Sequence, residues 1–234
     1  MIPLHEDNPT KITPYITYGL IIINVMVFLH QKSLEVSLNR QQIEAFYHFY
    51  AVVPQELSAS LRGVSVNQPI PEWLTLITSQ FLHGGWLHLG GNMLFLWVFG
   101  NNIEEKLGRF PYVFFYLSCG VIASLCHWFF SMQSSIPSLG ASGAIAGVMG
   151  AYIIRFPRAE ILTLVPLGFF ITTLRLPAVF FLGIWFLQQA FFSFTSLGMP
   201  AGMGETGGVA YWAHSGGFVF GLVLAPLLGL FDDR

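Results

Sequence analysis

Charged side chains are scarce in this sequence. Only 9% of its 234 residues are Asp, Glu, Lys or Arg, whereas 54% are hydrophobic and the mean hydropathy is +0.62. An average soluble domain is about 25% charged, so this chain has too little charge to cover a soluble surface. A net charge of −2 also provides no basic surface for nucleic acid. The composition therefore predicts a polytopic membrane protein without a nucleic-acid partner.

Aspartate is rarer still, because the chain contains only Asp7, Asp232 and Asp233, all close to a terminus. A membrane aspartyl protease needs a pair of aspartates inside the membrane, so the sequence excludes that class. The same absence leaves no aspartate for a Ser-His-Asp triad, so a catalytic serine in this chain would have to act with a histidine alone.

Cys119 and Cys126 lie two helical turns, about 10 Å, apart in one apolar segment, which is too far for a disulfide.

Six segments are apolar and close to the ~20 residues that cross a bilayer. We expect an all-α bundle of six transmembrane helices forming a single domain over residues 1–234. The predicted spans are 14–31, 87–103, 110–131, 140–154, 177–195 and 208–229. Lysine and arginine in the short loops place both termini on the cytoplasmic side by the positive-inside rule.

Two stretches between the spans need separate interpretation. Residues 31–86 mix charged side chains with aromatic clusters, which favours an ordered, partly embedded loop over a flexible linker. Residues 161–174 are uncharged but contain Pro166 and Gly168, and a run of that length is typical of an interfacial or re-entrant segment. Counting this run as a seventh span would turn the last helix against the charge pattern.

The spans contain no Asp, Glu, Lys or Arg in their interiors, so the polar side chains that remain there are candidates for function. Spans two, four and six run from the outer to the inner side. Their outer ends carry His88 and Asn92, then Ser142, and then His214 about two turns, or ~9 Å, below the start of span six. Residues from three distant parts of the chain are thus predicted at a similar depth.

Ser142 has two interpretations. Taken alone it favours helix packing, because Gly143 and Gly147 form a small-xxx-small pair that lets helices approach closely. The functional alternative is a nucleophile that Gly140 places at a tight turn, where the free amides of a helix N-terminus can hold an oxyanion.

His214 is the one plausible base at matching depth, although a histidine that only links two helices is the simpler interpretation. Gly217 and Gly221 follow it and would let span six press against span four, which brings His214 to Ser142. A neutral imidazole there can accept the serine proton and return it to a leaving amine.

His88 and Asn92 are spaced i, i+4 and share one helical face. A zinc site would need a further ligand and usually a glutamate base, and no carboxylate lies near, so we expect no metal and no other cofactor. Facing the serine, the two side chains can donate hydrogen bonds to an acyl-transfer intermediate. We interpret His83 as loop or helix-cap structure and His127 as an interfacial residue.

These motifs resemble those of the rhomboid family of intramembrane serine proteases, in its prokaryotic-type six-helix form. The family pattern is His-x-x-x-Asn on the second helix, Gly-x-Ser-Gly at the fourth, and a sixth-helix His followed by Gly-x-x-x-Gly. The corresponding residues here are His88 and Asn92, Gly140-Ala141-Ser142-Gly143, and His214 with Gly217 and Gly221. The resemblance implies a bundle with a water-filled cavity open to the outside.

The resemblance also implies roles for these residues. Ser142 would attack the substrate carbonyl with His214 as base, forming an acyl-enzyme, and the Ser142 amide, His88 and Asn92 would form the oxyanion hole. Position 146 is alanine, where some members place a tyrosine that stacks on the catalytic histidine, so other neighbours must orient His214.

The resemblance further implies partners and a location. Substrates would be single-span membrane proteins within the lipid bilayer, cut in the outer half of the membrane. They would enter past span five and the loop 196–207, a lateral gate and cap. A bacterial inner membrane is the expected location.

Two other classes of protein compete with an active protease. A catalytically silent rhomboid-like binding protein would keep the fold but normally lose the serine or the histidine, and both are present here. A small transporter or channel would carry polar residues through the full depth of the bilayer, whereas here they stop in the outer half.

Overall fold

The computed structural model describes residues 1–64, 68–168, 170–197 and 209–232. A helix occupies each of the six predicted spans. In chain order these helices are α1 (Tyr15–Ser37), α5 (Trp86–Leu107), α6 (Arg109–Phe130), α7 (Ser142–Arg155), α8 (Ala178–Ser196) and α9 (Tyr211–Leu227). Within the described residues α1, α6 and α8 are each long and apolar enough to cross a membrane, and α7 is a shorter apolar helix. The predicted helical, polytopic membrane class is confirmed.

The first loop is ordered, as its aromatic content predicts. It contains α2 (Arg40–Tyr50), α3 (Pro54–Leu61) and α4 (Thr75–Thr78), with 3₁₀ turns at Glu72–Leu74 and Ser79–Phe81. A capping box starts α2, because Asn39 accepts from the amide of Gln42 while the Gln42 side chain accepts from the amide of Asn39. A β-bridge between Val52 and Ser138 ties this loop to the segment that leads into α7.

Residues 161–174 differ from the sequence prediction of an interfacial or re-entrant segment. They form an antiparallel hairpin of β2 (Glu160–Leu167) and β3 (Phe170–Pro177), and β1 (Ile2–Glu6) pairs with β2 to complete a three-stranded sheet. Gly168 lies at the turn with φ +62°, a left-handed conformation that favours glycine. The sheet therefore joins the N-terminus to the α7–α8 connection.

Helix α7 is the centre of the bundle, since its residues from Gly143 to Tyr152 are all buried. On one side it meets α9 with backbone against backbone. A Cβ added to Gly221 would lie 2.1 Å from the carbonyl oxygen of Gly147, and one added to Gly217 would lie 2.2 Å from that of Gly143. On the other side Gly147 faces Cys119 of α6, where an added Cβ would lie 2.5 Å from the Cys119 Cβ. The glycines for which the sequence predicts close helix packing all lie at these contacts: Gly143, Gly147, Gly217 and Gly221.

A second set of contacts fixes α1 at the end of the bundle opposite to Ser142. The carboxylate of Glu104 in α5 is fully buried and accepts from the amides of Ile16 at 3.0 Å and Thr17 at 2.8 Å. It also accepts from the Thr17 hydroxyl at 2.8 Å. These amides belong to the first turn of α1, which has no capping side chain of its own. Glu104 therefore caps α1 from a neighbouring helix.

Helix α8 has two different faces. One face is buried and carries polar side chains at Gln189 and Ser193. The rest of the helix exposes large apolar side chains, as expected for contact with lipid: Phe180, Ile184, Leu187, Phe191 and Phe194.

A methyl group at the α7–α9 contact should destabilise the fold. We expect Gly221→Ala to cost about 1–3 kcal/mol of stability, because one of the two helices must move to admit the new Cβ. The measurement is the thermal unfolding midpoint in detergent. Gly183→Ala in α8 is the matched control, since an added Cβ there meets no atom within 4 Å. An unchanged midpoint for Gly221→Ala would contradict the observed contact.

The first loop should lose stability as the pH rises. Glu72 is 5% exposed, and neither carboxylate oxygen has a hydrogen-bond partner among the described residues. Burial, with a smaller contribution from Glu56, raises the pKa of Glu72 from 4.5 to about 7. The proton therefore stays on in the folded protein where the unfolded chain releases it. The resulting stabilisation is complete below pH 4.5 and is lost as the pH rises through 7.

Glu72→Gln removes this titration. The unfolding midpoint of the variant should fall less between pH 5 and pH 8 than that of the unmodified chain, by an amount equivalent to about 1–3 kcal/mol. Glu44→Gln is the control, because that side chain is exposed on α2. Parallel curves for the Glu72 variant and the unmodified chain would contradict the raised pKa.

Candidate active site

The structure brings Ser142 and His214 into hydrogen-bond contact. Ser142 Oγ and His214 Nε2 are 2.8 Å apart, although 72 residues separate them in sequence. Ser142 is the first residue of α7, and His214 lies one turn into α9. The prediction of two turns was wrong because α9 begins at Tyr211 and not near residue 208. The two helices that meet through their glycines thus carry the two side chains into contact.

The turn before Ser142 depends on Gly140. Its φ of +128° is in the range that favours glycine, and its amide donates to the carbonyl of Ser79 at 2.9 Å. A Cβ at this position would lie 2.8 Å from His88 Nε2. Gly140 therefore has a backbone conformation that favours glycine, and it leaves the space that His88 occupies.

His88 and Asn92 lie together beside this turn. Asn92 Nδ2 would be 3.7 Å from a Cβ at Gly140, and this buried donor has no hydrogen-bond partner in the described part of the chain. His88 Nδ1 accepts from the amide of Gly84 at 3.3 Å. In a neutral imidazole the other nitrogen then carries the hydrogen, so His88 Nε2 is a donor. Two side-chain donors thus lie next to Ser142.

A cavity of about 900 Å³ contains all of these groups. Its walls are mostly apolar, from Trp185, Ile145 and Met149 among others, and its polar lining includes Ser142, His214, His88 and Asn92. A few convergent polar groups in an apolar cavity are typical of a substrate site. No group of three or more His, Cys, Asp or Glu side chains suited to a metal occurs within the described ranges.

Two other histidines lie near the site. His83 is buried, its amide donates to Gln31 Oε1 at 3.1 Å, and its ring packs edge-on against His88 with centroids 5.2 Å apart. Burial, with a smaller contribution from the charge of His88, lowers the pKa of His83 to about 4, so it is neutral at pH 7. His127 differs from its interpretation as an interfacial residue, since it is 1% exposed within α6.

Sequence reasoning missed Gln189. Its Oε1 is 2.9 Å from His214 Nδ1, on the side of the imidazole away from Ser142. The ring of Trp185 lies 5.8 Å from that of His214 at 34°. Both side chains lie against the imidazole of His214, at a site where position 146 is alanine. The sequence does contain a signal for this residue, because Gln189 is an amide inside the apolar span 177–195, and a buried amide needs a hydrogen-bond partner.

The expected cap lies largely outside the described residues, which omit 198–208. The part of that loop next to α8 is described. There Ser196 Oγ accepts from Trp212 Nε1 at 3.1 Å, which joins the end of α8 to the start of α9.

Together, the fold and the site define a helical membrane protein whose serine and histidine meet in a cavity near the ends of three helices. Comparison with known families identifies it further. The family model for the Rhomboid domain matches residues 71–231, which is more than half of the chain. The chain therefore belongs to the rhomboid family.

Individual relatives come from several compartments. The chain is 32% identical to Rhomboid-like protein 11, chloroplastic, of Arabidopsis thaliana over 46% of its own length and 36% of that protein's. It is 31% identical to Rhomboid protein 1, mitochondrial, of Saccharomyces cerevisiae over 64% and 40%. It is 32% identical to Rhomboid protease GluP of Bacillus subtilis over 60% and 24%.

The chain thus spans less than half the length of these relatives. Two of the three are organellar, so the expectation of a bacterial inner membrane is not supported, whereas an integral membrane protein is.

Proposed function

We propose that this chain is an intramembrane serine endopeptidase that cleaves transmembrane segments of other membrane proteins. The observation that carries the proposal is the 2.8 Å separation of Ser142 Oγ and His214 Nε2 inside the cavity. Membership of the rhomboid family supports it, as does similarity to a relative named as a protease. A silent binding protein would need neither the serine–histidine contact nor the buried amide donor of Asn92, which has no hydrogen-bond partner among the described residues.

In the proposed reaction Nε2 of His214 takes the proton from Ser142 as Oγ bonds to the substrate carbonyl carbon. The imidazolium then gives this proton to the amine of the departing chain as the peptide bond breaks, leaving an acyl-enzyme. A water molecule, deprotonated by the same nitrogen, releases the acyl group and restores the serine. The reaction draws only on these side chains, and we propose no metal or cofactor.

The oxyanion of the tetrahedral intermediate needs donors already in place. We assign this role to His88 Nε2, Asn92 Nδ2 and the amide of Ser142. The amide belongs to the N-terminal turn of α7, whose first amides have no partner within the helix, and the positive end of the helix dipole lies there. Asn92 has a buried donor for which the described part of the chain offers no hydrogen-bond partner, and this is costly unless a ligand uses it.

We also propose that residues 1–234 form one membrane domain with both termini on the cytoplasmic side and the site in the outer half of the bilayer. The pairing of β1 with β2 supports a single unit, since it joins the N-terminus to the segment after α7. So does Asn102 Nδ2 of α5, which donates to Glu6 Oε1 at 2.9 Å. Single-span proteins in the lipid around α8 are the proposed substrates.

A fluorophosphonate probe tests the nucleophile. We expect covalent labelling of the detergent-solubilised protein, no labelling of Ser142→Ala, and a loss of at least about 100-fold in labelling rate for His214→Ala, because the hydroxyl is weakly nucleophilic without its base. Ser37→Ala and His30→Ala, both exposed on α1, are the matched controls. Equal labelling of Ser142→Ala and the unmodified chain would overturn the proposal.

Removing one oxyanion donor tests the second part of the site. Asn92→Ala should lower kcat for a transmembrane substrate by roughly 10²–10³ with little change in KM, because the bond forms only in the transition state. Asn101→Ala, on the same helix beyond the cavity lining, should retain full turnover. A normal kcat for the folded Asn92 variant would remove that residue from the site.

A further inference from the structure

Gln189 is a buried amide in the apolar helix α8. It is 7% exposed, and its Oε1 lies 2.9 Å from His214 Nδ1. The neighbouring Gln188 has the same side chain but is exposed. Burying an amide among apolar helices costs free energy unless it forms hydrogen bonds, so the contact with His214 explains why this amide can be buried.

We propose that Gln189 is a positioning residue that fixes the tautomer and orientation of His214, an inference that rests on the proposed function. An amide oxygen can only accept a hydrogen bond, so Nδ1 of His214 must carry the hydrogen in this contact. In a neutral imidazole Nε2 then has the free lone pair, and Nε2 is the atom that faces Ser142 Oγ. The contact thus selects the form of His214 that can act as a base.

The position of Gln189 is held by a row of hydrogen bonds between α8 and α9. Ser193 Oγ lies 3.0 Å from Ser215 Oγ, and Trp212 Nε1 donates to Ser196 Oγ. Residues 189, 193 and 196 are spaced i, i+4 and i+7, so they share one face of α8. The contacts of Ser193 and Ser196 keep α8 in register with α9, and the contact of Gln189 is made with the imidazole of His214.

A neutral partner for His214 differs chemically from the carboxylate of a Ser-His-Asp triad. A carboxylate in this place would stabilise the imidazolium directly, whereas an amide oxygen provides only a dipole. Among the residues that the structure describes, the titratable side chains that act on His214 from the neighbouring helices are His88 in α5 and His127 in α6, and neither is an acid. Replacing the amide by a carboxylate should therefore change the pH dependence of the reaction.

The simpler alternative is that Gln189 only helps to join α8 to α9. Ser193 provides the comparison, because it joins the same two helices without touching His214. A structural role predicts that Ser193→Ala and Gln189→Leu lower stability and activity in parallel. A positioning role predicts a separate effect of Gln189 on kcat and on the pH profile.

The test measures kcat and KM against pH for a transmembrane substrate in four variants. We expect Gln189→Leu to lower kcat about tenfold, the effect of one lost hydrogen bond, with KM unchanged. Gln189→Glu keeps an acceptor and should recover turnover at high pH, while its acidic limb moves up by about one pH unit or more. Gln188→Leu should keep the kcat and the pH profile of the unmodified chain. Ser193→Ala removes one of the two contacts that keep α8 in register with α9, so it should lower kcat by less than Gln189→Leu does and should keep the pH profile of the unmodified chain.

Three results would overturn the inference. The first is an unchanged kcat in folded Gln189→Leu, and the second is a loss of kcat in Ser193→Ala equal to that in Gln189→Leu. The third is a pH profile of Gln189→Glu that coincides with that of the unmodified chain, and this comparison decides the matter if Gln189→Leu does not fold. Failure of the proposed function would appear differently, as turnover retained by Ser142→Ala or His214→Ala.

Discussion

The contact of α7 with α9 through glycine backbones is the constraint on which the site depends. Gly143 follows Ser142 directly, and Gly217 lies three residues after His214, so the close contact of the two helices begins beside these two side chains and continues to Gly147 and Gly221. An added methyl at Gly217 would lie 2.2 Å from the carbonyl oxygen of Gly143. The backbone contact that packs α7 against α9 therefore also brings Ser142 within hydrogen-bond distance of His214.

The opposite end of the bundle is held by polar side chains. Glu6 of β1 accepts from the side chains of Asn102 in α5 and Tyr152 in α7, while Glu104 caps α1. Burial raises the pKa of Glu6, although the hydrogen bonds that Glu6 accepts from Asn102 and Tyr152 oppose this shift. The bundle thus has one end joined by hydrogen bonds among polar side chains, while at the end that carries Ser142 the buried amide donor of Asn92 has no hydrogen-bond partner among the described residues.

Much of this arrangement could be predicted from the sequence, because apolar runs and loop charges are properties of the chain itself. They predicted six helices and a common depth for Ser142 and His214, and the structure brings the two into contact. The hairpin of β2 and β3 was missed because an apolar run of that length is compatible with a strand or with a membrane-surface segment, and Pro166 argued against a strand. Gln189 was missed because its value depends on which neighbour its amide meets, and that is decided by the packing of α8 against α9.

The two faces of α8 connect the lipid bilayer with the imidazole of His214. Its apolar face is exposed as a lipid-facing surface, and its polar face holds the imidazole of His214. The lateral pressure of lipid acyl chains would therefore act on α8, the helix whose Gln189 contacts the imidazole of His214. Under the proposed function a substrate segment enters past α8, and a movement of this helix that admits the segment would also withdraw Gln189 from His214. Entry and bond cleavage would then be successive events that depend on the position of one helix.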